Sequence, residues 1–257
     1  MSAPIIDIDE NLRLLGTAHV ATASVEAVKE NIEEWGPEIV AVELCKGRHD
    51  ALTQEKRLDK EGLLKVIKEG RAPMVLLQSL LAAEQRKLGI DEGQQPGAEL
   101  LAAVQAANEY GIKVELVDRD IQTTLRRAWS KMRLKEKLGL MWALLSEEED
   151  DEELDLEEML ADKDLLTSLM EELREVSPGA GEVLIDERDE YIARKISAIR
   201  GDGKVLAVLG AGHLEGVSKL LNQSVEPSEE RISELATTPK GGRMLKTISY
   251  AIPLALL

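Results

Sequence analysis

A chain of 257 residues with 44% apolar and 32% charged residues is globular, not disordered, and is long enough for one sizeable core with an insertion or for two small domains. Its 49 Asp and Glu against 32 Lys and Arg give a net charge of −17, which excludes a general binder of the nucleic-acid phosphate backbone. The single cysteine, Cys45, excludes an intrachain disulfide.

Residues 1–10 carry Asp7, Asp9 and Glu10 and no basic stretch followed by an apolar core, so no signal peptide is expected there. Residues 12–15, apolar except for Arg13, read as a buried strand that runs into Gly16-Thr17-Ala18-His19. Residues 24–35 place Val25, Val28, Ile32 and Trp35 at helical spacing, with Ser24 able to cap the start and Gly36-Pro37 as the stop. A short apolar run at 39–42 ends at Glu43, which completes strand, helix, strand and so a parallel βαβ unit. Leu52, Leu63, Leu64, Val66 and Ile67 mark a helical region, and residues 73–77 fit either a third strand or the start of another helix. Pro96-Gly97 opens a helix with Leu100, Leu101, Val104 and Ala107 on its apolar face and Gly111 as its stop. Residues 113–117 form a strand that ends in Asp118-Arg119-Asp120.

From residue 122 to 145 the pattern is continuously helical and at first basic, and residues 146–158 are nearly all acidic. The pair reads as a helical insertion with a solvated linker, whose acidic run cancels the field a nucleic acid would need. Ser177-Pro178-Gly179 closes the insertion, and a helix follows over 182–199. Arg188 falls inside its apolar stripe of Ile185, Ile192, Ile196 and Ile199, so its charge must be paired, with Glu43 or Asp118 as partners. Asp186, Glu187 and Asp189 are expected mostly to face solvent, with one able to turn toward the strand ends. Residues 205–209 are a second buried strand running into Gly210-Ala211-Gly212-His213. Residues 244–257 turn apolar behind Lys240, Arg243 and Lys246; they form either a helix packed on the domain or the start of a membrane span, in which case the domain before it lies in the cytoplasm.

Four strand ends thus gather His19, Glu43, the Asp118-Arg119-Asp120 cluster and His213, where open α/β sheets bind ligands. Two neutral imidazoles and a carboxylate suit a divalent metal ion that polarises a carbonyl or activates water, with His19 and His213 as ligands and Glu43 as third ligand or general base. A Cys45–His19 nucleophilic pair is the alternative, although a lone cysteine is more often a small apolar residue. His49, on a loop pattern after Arg48, reads as a surface residue, and no glycine-rich phosphate loop is present.

In order along the chain, Gly16-Thr17-Ala18-His19 with Ser24, Val42-Glu43-Leu44 with Arg48, Asp118-Arg119-Asp120-Ile121 with Thr124, Arg127 and Trp129, Asp186-Glu187-Arg188-Asp189, and Gly210-Ala211-Gly212-His213 resemble the TraB/PrgY family. Its pheromone-shutdown members are thought to block or sequester a peptide, the related TIKI proteins are metal-dependent proteases with two Gly-x-x-His motifs, and erythromycin esterases are distant relatives of similar fold. The resemblance implies an α/β fold, a central mainly parallel sheet flanked by helices, with the domain over 1–238, a helical insertion at about 122–177 and the apolar tail at 239–257 opening a membrane region. It implies a divalent metal ion on His19, His213 and Glu43, catalytic roles for Glu43, Glu187 and Arg188, and substrate contacts from Arg48, Asp118 and Arg119. The expected activity is that of a membrane-associated, metal-dependent hydrolase of peptides, or of a non-catalytic regulator that binds a peptide signal; a homo-oligomer is left open.

Overall fold

In the computed structural model the residues described are 3–17, 21–53, 98–137, 174–175 and 177–238. His19, the patterns at 63–84, the acidic run at 146–158 and the apolar tail lie outside them, as does the side chain of Ser24.

Five strands form one sheet in the order β1-β2-β5-β3-β4. They are β1 (Ile5–Asp9), β2 (Leu12–Thr17), β3 (Ile39–Val42), β4 (Lys113–Leu116) and β5 (Val205–Gly210). All neighbours are parallel except β1, which runs antiparallel to β2 along one edge. The helices are α1 (Ala21–Trp35), α2 (Lys46–Thr53), α3 (Ala98–Glu109), α4 (Ile121–Lys131), α5 (Pro178–Gly181), α6 (Glu187–Ile199), α7 (Ala211–Asn222) and α8 (Glu229–Leu235), and a π-helix over Glu182–Asp186 joins α5 to α6. The architecture is α/β, as the sequence predicts. Among the described residues no helix is long and apolar enough to cross a membrane.

The period-2 geometry of β5 explains why it is apolar at every position. Val205, Ala207 and Leu209 face one side with Ile192 and Ile196 of α6 and Val217 and Leu221 of α7. Leu206 and Val208 face the other side with Val28 and Ile32 of α1 and Leu100, Val104 and Ala107 of α3. The chain crosses from β2 to β3 through α1 on that second side and leaves β5 through α7 on the first, so the connections part around the carboxyl end of β5. That divergence marks the edge at which open α/β sheets bind ligands, and the ionisable residues collect there.

Gly36 and Gly111 end α1 and α3 in the left-handed region, with φ of 63° and 67°, which glycine adopts without the clash that a Cβ brings. Gly111→Ala is expected to cost about 1 kcal/mol, read as a lower urea midpoint with an unchanged slope.

Four local features differ from the sequence pattern. Strand β1 is not foreseen, although Ile6 and Ile8 alternate with Asp7 and Asp9 and pack on the core. Helix α8 is likewise unforeseen; Ser228 caps it, its hydroxyl accepting from the Arg231 N–H at 3.3 Å. The helix from 122 is not continuous: Met132 turns extended, with ψ of 138°, and closes α4. Finally, the helix expected at 182–199 begins with the π turn, which inserts one residue ahead of Glu187 and re-phases the side chains that follow.

Candidate functional site

Glu43 leaves β3 at the carboxyl edge of the sheet and is buried. Its Oε2 accepts the Gly210 N–H at 2.8 Å and its Oε1 accepts Arg188 Nη2 at 2.8 Å. Asp118, just past β4, accepts the same guanidinium twice, from Nη2 at 2.9 Å and Nε at 3.2 Å. Nη1 of Arg188 donates to Nε2 of His213 at 2.8 Å. The other ring nitrogen of His213, Nδ1, lies 2.6 Å from Oδ1 of Asp189. A guanidinium can only donate and a carboxylate only accepts, so the neutral ring carries its proton on Nδ1 and offers Nε2 as an acceptor.

The electrostatics follow from burial and partners. Burial opposes the charge of Arg188, but Asp118 and Glu43 outweigh it and raise the pKa of its guanidinium above the ordinary arginine range. Burial likewise opposes the imidazolium of His213, yet Glu43 and the bond to Asp189 hold its pKa above the usual histidine value. Burial pushes the Asp189 carboxyl up, against the bond to His213.

The Asp118-Arg119-Asp120 cluster divides three ways. Asp118 faces Arg188, while Asp120 caps α4, its Oδ2 accepting the Thr123 N–H at 2.9 Å. Arg119 turns inward and is sealed at 1% exposure. It donates to Thr124 Oγ1 at 3.0 Å, Glu187 Oε2 at 2.9 Å, the Leu235 carbonyl at 3.2 Å and the Val183 carbonyl at 3.0 Å. Arg127 grips both oxygens of Glu187 at 2.7 and 2.8 Å. Glu187 and Arg119 therefore form a buried lock beside the cluster of Arg188, Glu43, Asp118 and His213, with their polar atoms engaged by protein groups.

Against the sequence expectation of solvent-facing acids, Glu187 and Asp189 are buried and only Asp186 is exposed. Asp189 enters the site although the sequence reading gave it no role beyond its place in the Asp186-Glu187-Arg188-Asp189 block. The signal was present: it stands four residues after Ile185 and three before Ile192, in the same stripe as Arg188. Arg48 and His49 are half-buried on α2, and Cys45 is a free, buried thiol.

The two glycines that precede the histidine motifs act through close approach and not through a left-handed turn. Gly16 sits inside β2, where a Cβ would meet Pro4 Cγ at 2.7 Å and Leu214 Cδ2 at 2.9 Å. Gly210 ends β5 with φ of −62° and ψ of 145°, and a Cβ there would stand 3.3 Å from Glu43 Oε2. His213 itself lies in the first turn of α7, not in a loop.

The implied metal set can be compared with this geometry. Nε2 of His213 and Oε1 of Glu43 are 3.7 Å apart. In this arrangement the Arg188 guanidinium engages both of those ligand atoms, and the third member of the implied set, His19, lies outside the described residues. Among the described residues no group of three or more His, Cys, Asp or Glu side chains is placed to hold one.

Known proteins are similar to this chain over nearly its whole length. An uncharacterized protein of Methanocaldococcus jannaschii is 36% identical over 254 residues, which cover 96% of this chain and 62% of that protein. TraB domain-containing proteins of Bos taurus and Homo sapiens are 28% and 27% identical over 269 residues, 95% of this chain and 71% of theirs. The chain thus spans less than two thirds of the length of the first of these relatives. The TraB/PrgY/gumN family model matches residues 5–227. By that match and those identities, the chain belongs to the TraB/PrgY/gumN family.

Proposed function

We propose that this domain is a hydrolase of peptide bonds in which the Asp189–His213 pair supplies the base and Arg188 the electrophile. The observation that carries the reading is the directed chain from Asp189 Oδ1 through the imidazole to Arg188, at 2.6 and 2.8 Å, on the carboxyl edge of the sheet. A water and a substrate carbonyl entering between Nε2 and Nη1 would meet an acceptor on one side and a guanidinium on the other. Nε2 takes a proton as the water oxygen bonds to the carbonyl carbon, Arg188 stabilises the oxyanion, and the proton passes to the leaving amine as the C–N bond breaks. Glu43 Oε1, 3.7 Å from Nε2, favours the imidazolium that forms.

Removing the base is expected to lower the cleavage rate by about 10²–10⁴-fold. The check is His213→Ala and Asp189→Asn against the parent chain on a quenched-fluorescence peptide library, with metal analysis of the same preparations. Cleavage that survives both substitutions overturns the reading. Stoichiometric metal that is lost with His213→Ala would instead put a metal ion where Arg188 now sits.

A second reading, a regulator that binds a peptide without cutting it, is favoured by the closure of the cluster on itself. Saturable binding of a peptide recovered intact would establish it. We also propose that the region from residue 239 attaches the domain to a membrane with the domain on the cytoplasmic side, for which co-sedimentation of the natural protein with membranes is the test.

A further inference from the structure

We infer that Gly216 is a positioning residue for the Asp189–His213 pair: the space left by its missing side chain is the seat of the Asp189 carboxylate. The inference rests on the reading of that pair as a functional unit.

Gly216 lies in the middle of α7, one turn past His213. A Cβ built on it would stand 1.9 Å from Oδ2 of Asp189, 2.7 Å from its Cγ and 3.4 Å from its Cβ. The clash is with the short, buried end of α6 and cannot be relieved at the far end of a flexible side chain. One carboxylate oxygen thus bonds to His213 Nδ1 at 2.6 Å while the other lies against the bare backbone at residue 216. Any larger residue must push Asp189, on α6, away from α7, the helix that carries His213. The ring would then lose the acceptor that keeps its proton on Nδ1, and Nε2 would no longer be held as the acceptor facing Arg188.

Local physics makes the glycine informative. Alanine is favoured over glycine in a helix interior, so Gly216→Ala should stabilise the chain if nothing occupies that space. If the carboxylate occupies it, the sign reverses.

The test is a double-mutant cycle on the 257-residue chain. Gly216→Ala is expected to lower the denaturation midpoint in the parent background and to raise it in the Asp189→Ala background, where the seat is empty. The second readout is the tautomer of His213, from long-range nitrogen–proton correlation of the imidazole rings, assigned with His213→Gln. The parent chain is expected to show the Nδ1–H form, and Gly216→Ala and Asp189→Ala both to lose it in folded protein. A midpoint change of the same sign in both backgrounds, unfolding in both, or an unchanged tautomer overturns the inference. Failure of Gly216→Ala to fold only where Asp189 is present supports it. If the cycle and tautomer behave as expected while no peptide is cleaved, the seat stands and the hydrolase reading falls; if cleavage depends on His213 but Gly216→Ala keeps the tautomer, the reverse holds.

Discussion

Replacing Arg188 by methionine is expected to lower the free energy of unfolding by about 3–5 kcal/mol, the cost of removing one partner from a buried ionic cluster. Methionine keeps much of the volume of the side chain, so little of the loss comes from a cavity. The loss comes from Glu43 and Asp118, whose side chains are 6% and 4% exposed and which both give up a guanidinium bond. Gly210 continues to donate to Glu43, and the Arg119 N–H to Asp118, but these neutral donors do not replace a positive charge. Arg188→Lys should recover only part of the loss. A single ammonium cannot span four acceptor atoms that the planar guanidinium reaches with Nε, Nη1 and Nη2. Chemical denaturation at neutral pH distinguishes the three proteins, and a methionine variant within 1 kcal/mol of the parent would show that the carboxylates are hydrated by other means.

Much of this cluster was legible before any coordinates. Arg188 inside an apolar stripe demanded a buried partner, and the strand ends offered Glu43 and Asp118; both bonds are present. The sheet was legible for the same reason: β5 and β3 are apolar at every position because each buries two faces, and Gly36 and Gly111 mark their helix ends. What the one-dimensional pattern could not supply is the third layer. Glu187 looks solvent-facing on a single helix, and its burial depends on α4 and α8 packing over it. The π turn is equally silent, since it is held partly by Arg119 donating to the Val183 carbonyl, a contact 64 residues apart. The two Gly-x-x-His motifs follow adjacent parallel strands, with Gly16 within β2 and Gly210 at the strand-to-helix junction, while His19 lies outside the described residues.

The lock around Glu187 gives the second large effect. Its carboxylate is 8% exposed and is shared by Arg119, at 1%, and Arg127, at 11%. Burial pushes the Glu187 carboxyl up, but the bonds from Arg127 and Arg119 outweigh it and hold it below its ordinary value of 4.5. A folded-state value below the unfolded one means that this group stabilises the chain above the unfolded value and that the contribution is lost as pH falls through the folded one. Glu187→Gln should therefore cost about 3–5 kcal/mol at neutral pH, because it takes from the sealed Arg119 the carboxylate it is bonded to. The gap to the parent chain should close as the pH drops below 4.5, where the parent loses the same interaction. Denaturation midpoints measured from pH 7 down to pH 3 test the sign, and a constant gap across that range refutes the assignment. The same substitution should loosen the end of α8. Arg119 donates to the Leu235 carbonyl at 3.2 Å, and Arg127 to those of Glu234 and Thr237 at 3.2 and 2.8 Å, so both arginines tie that terminus to Glu187. Faster amide exchange in residues 229–237, with the sheet amides unchanged, is the expected local signature, and it sets loss of this lock apart from general destabilisation.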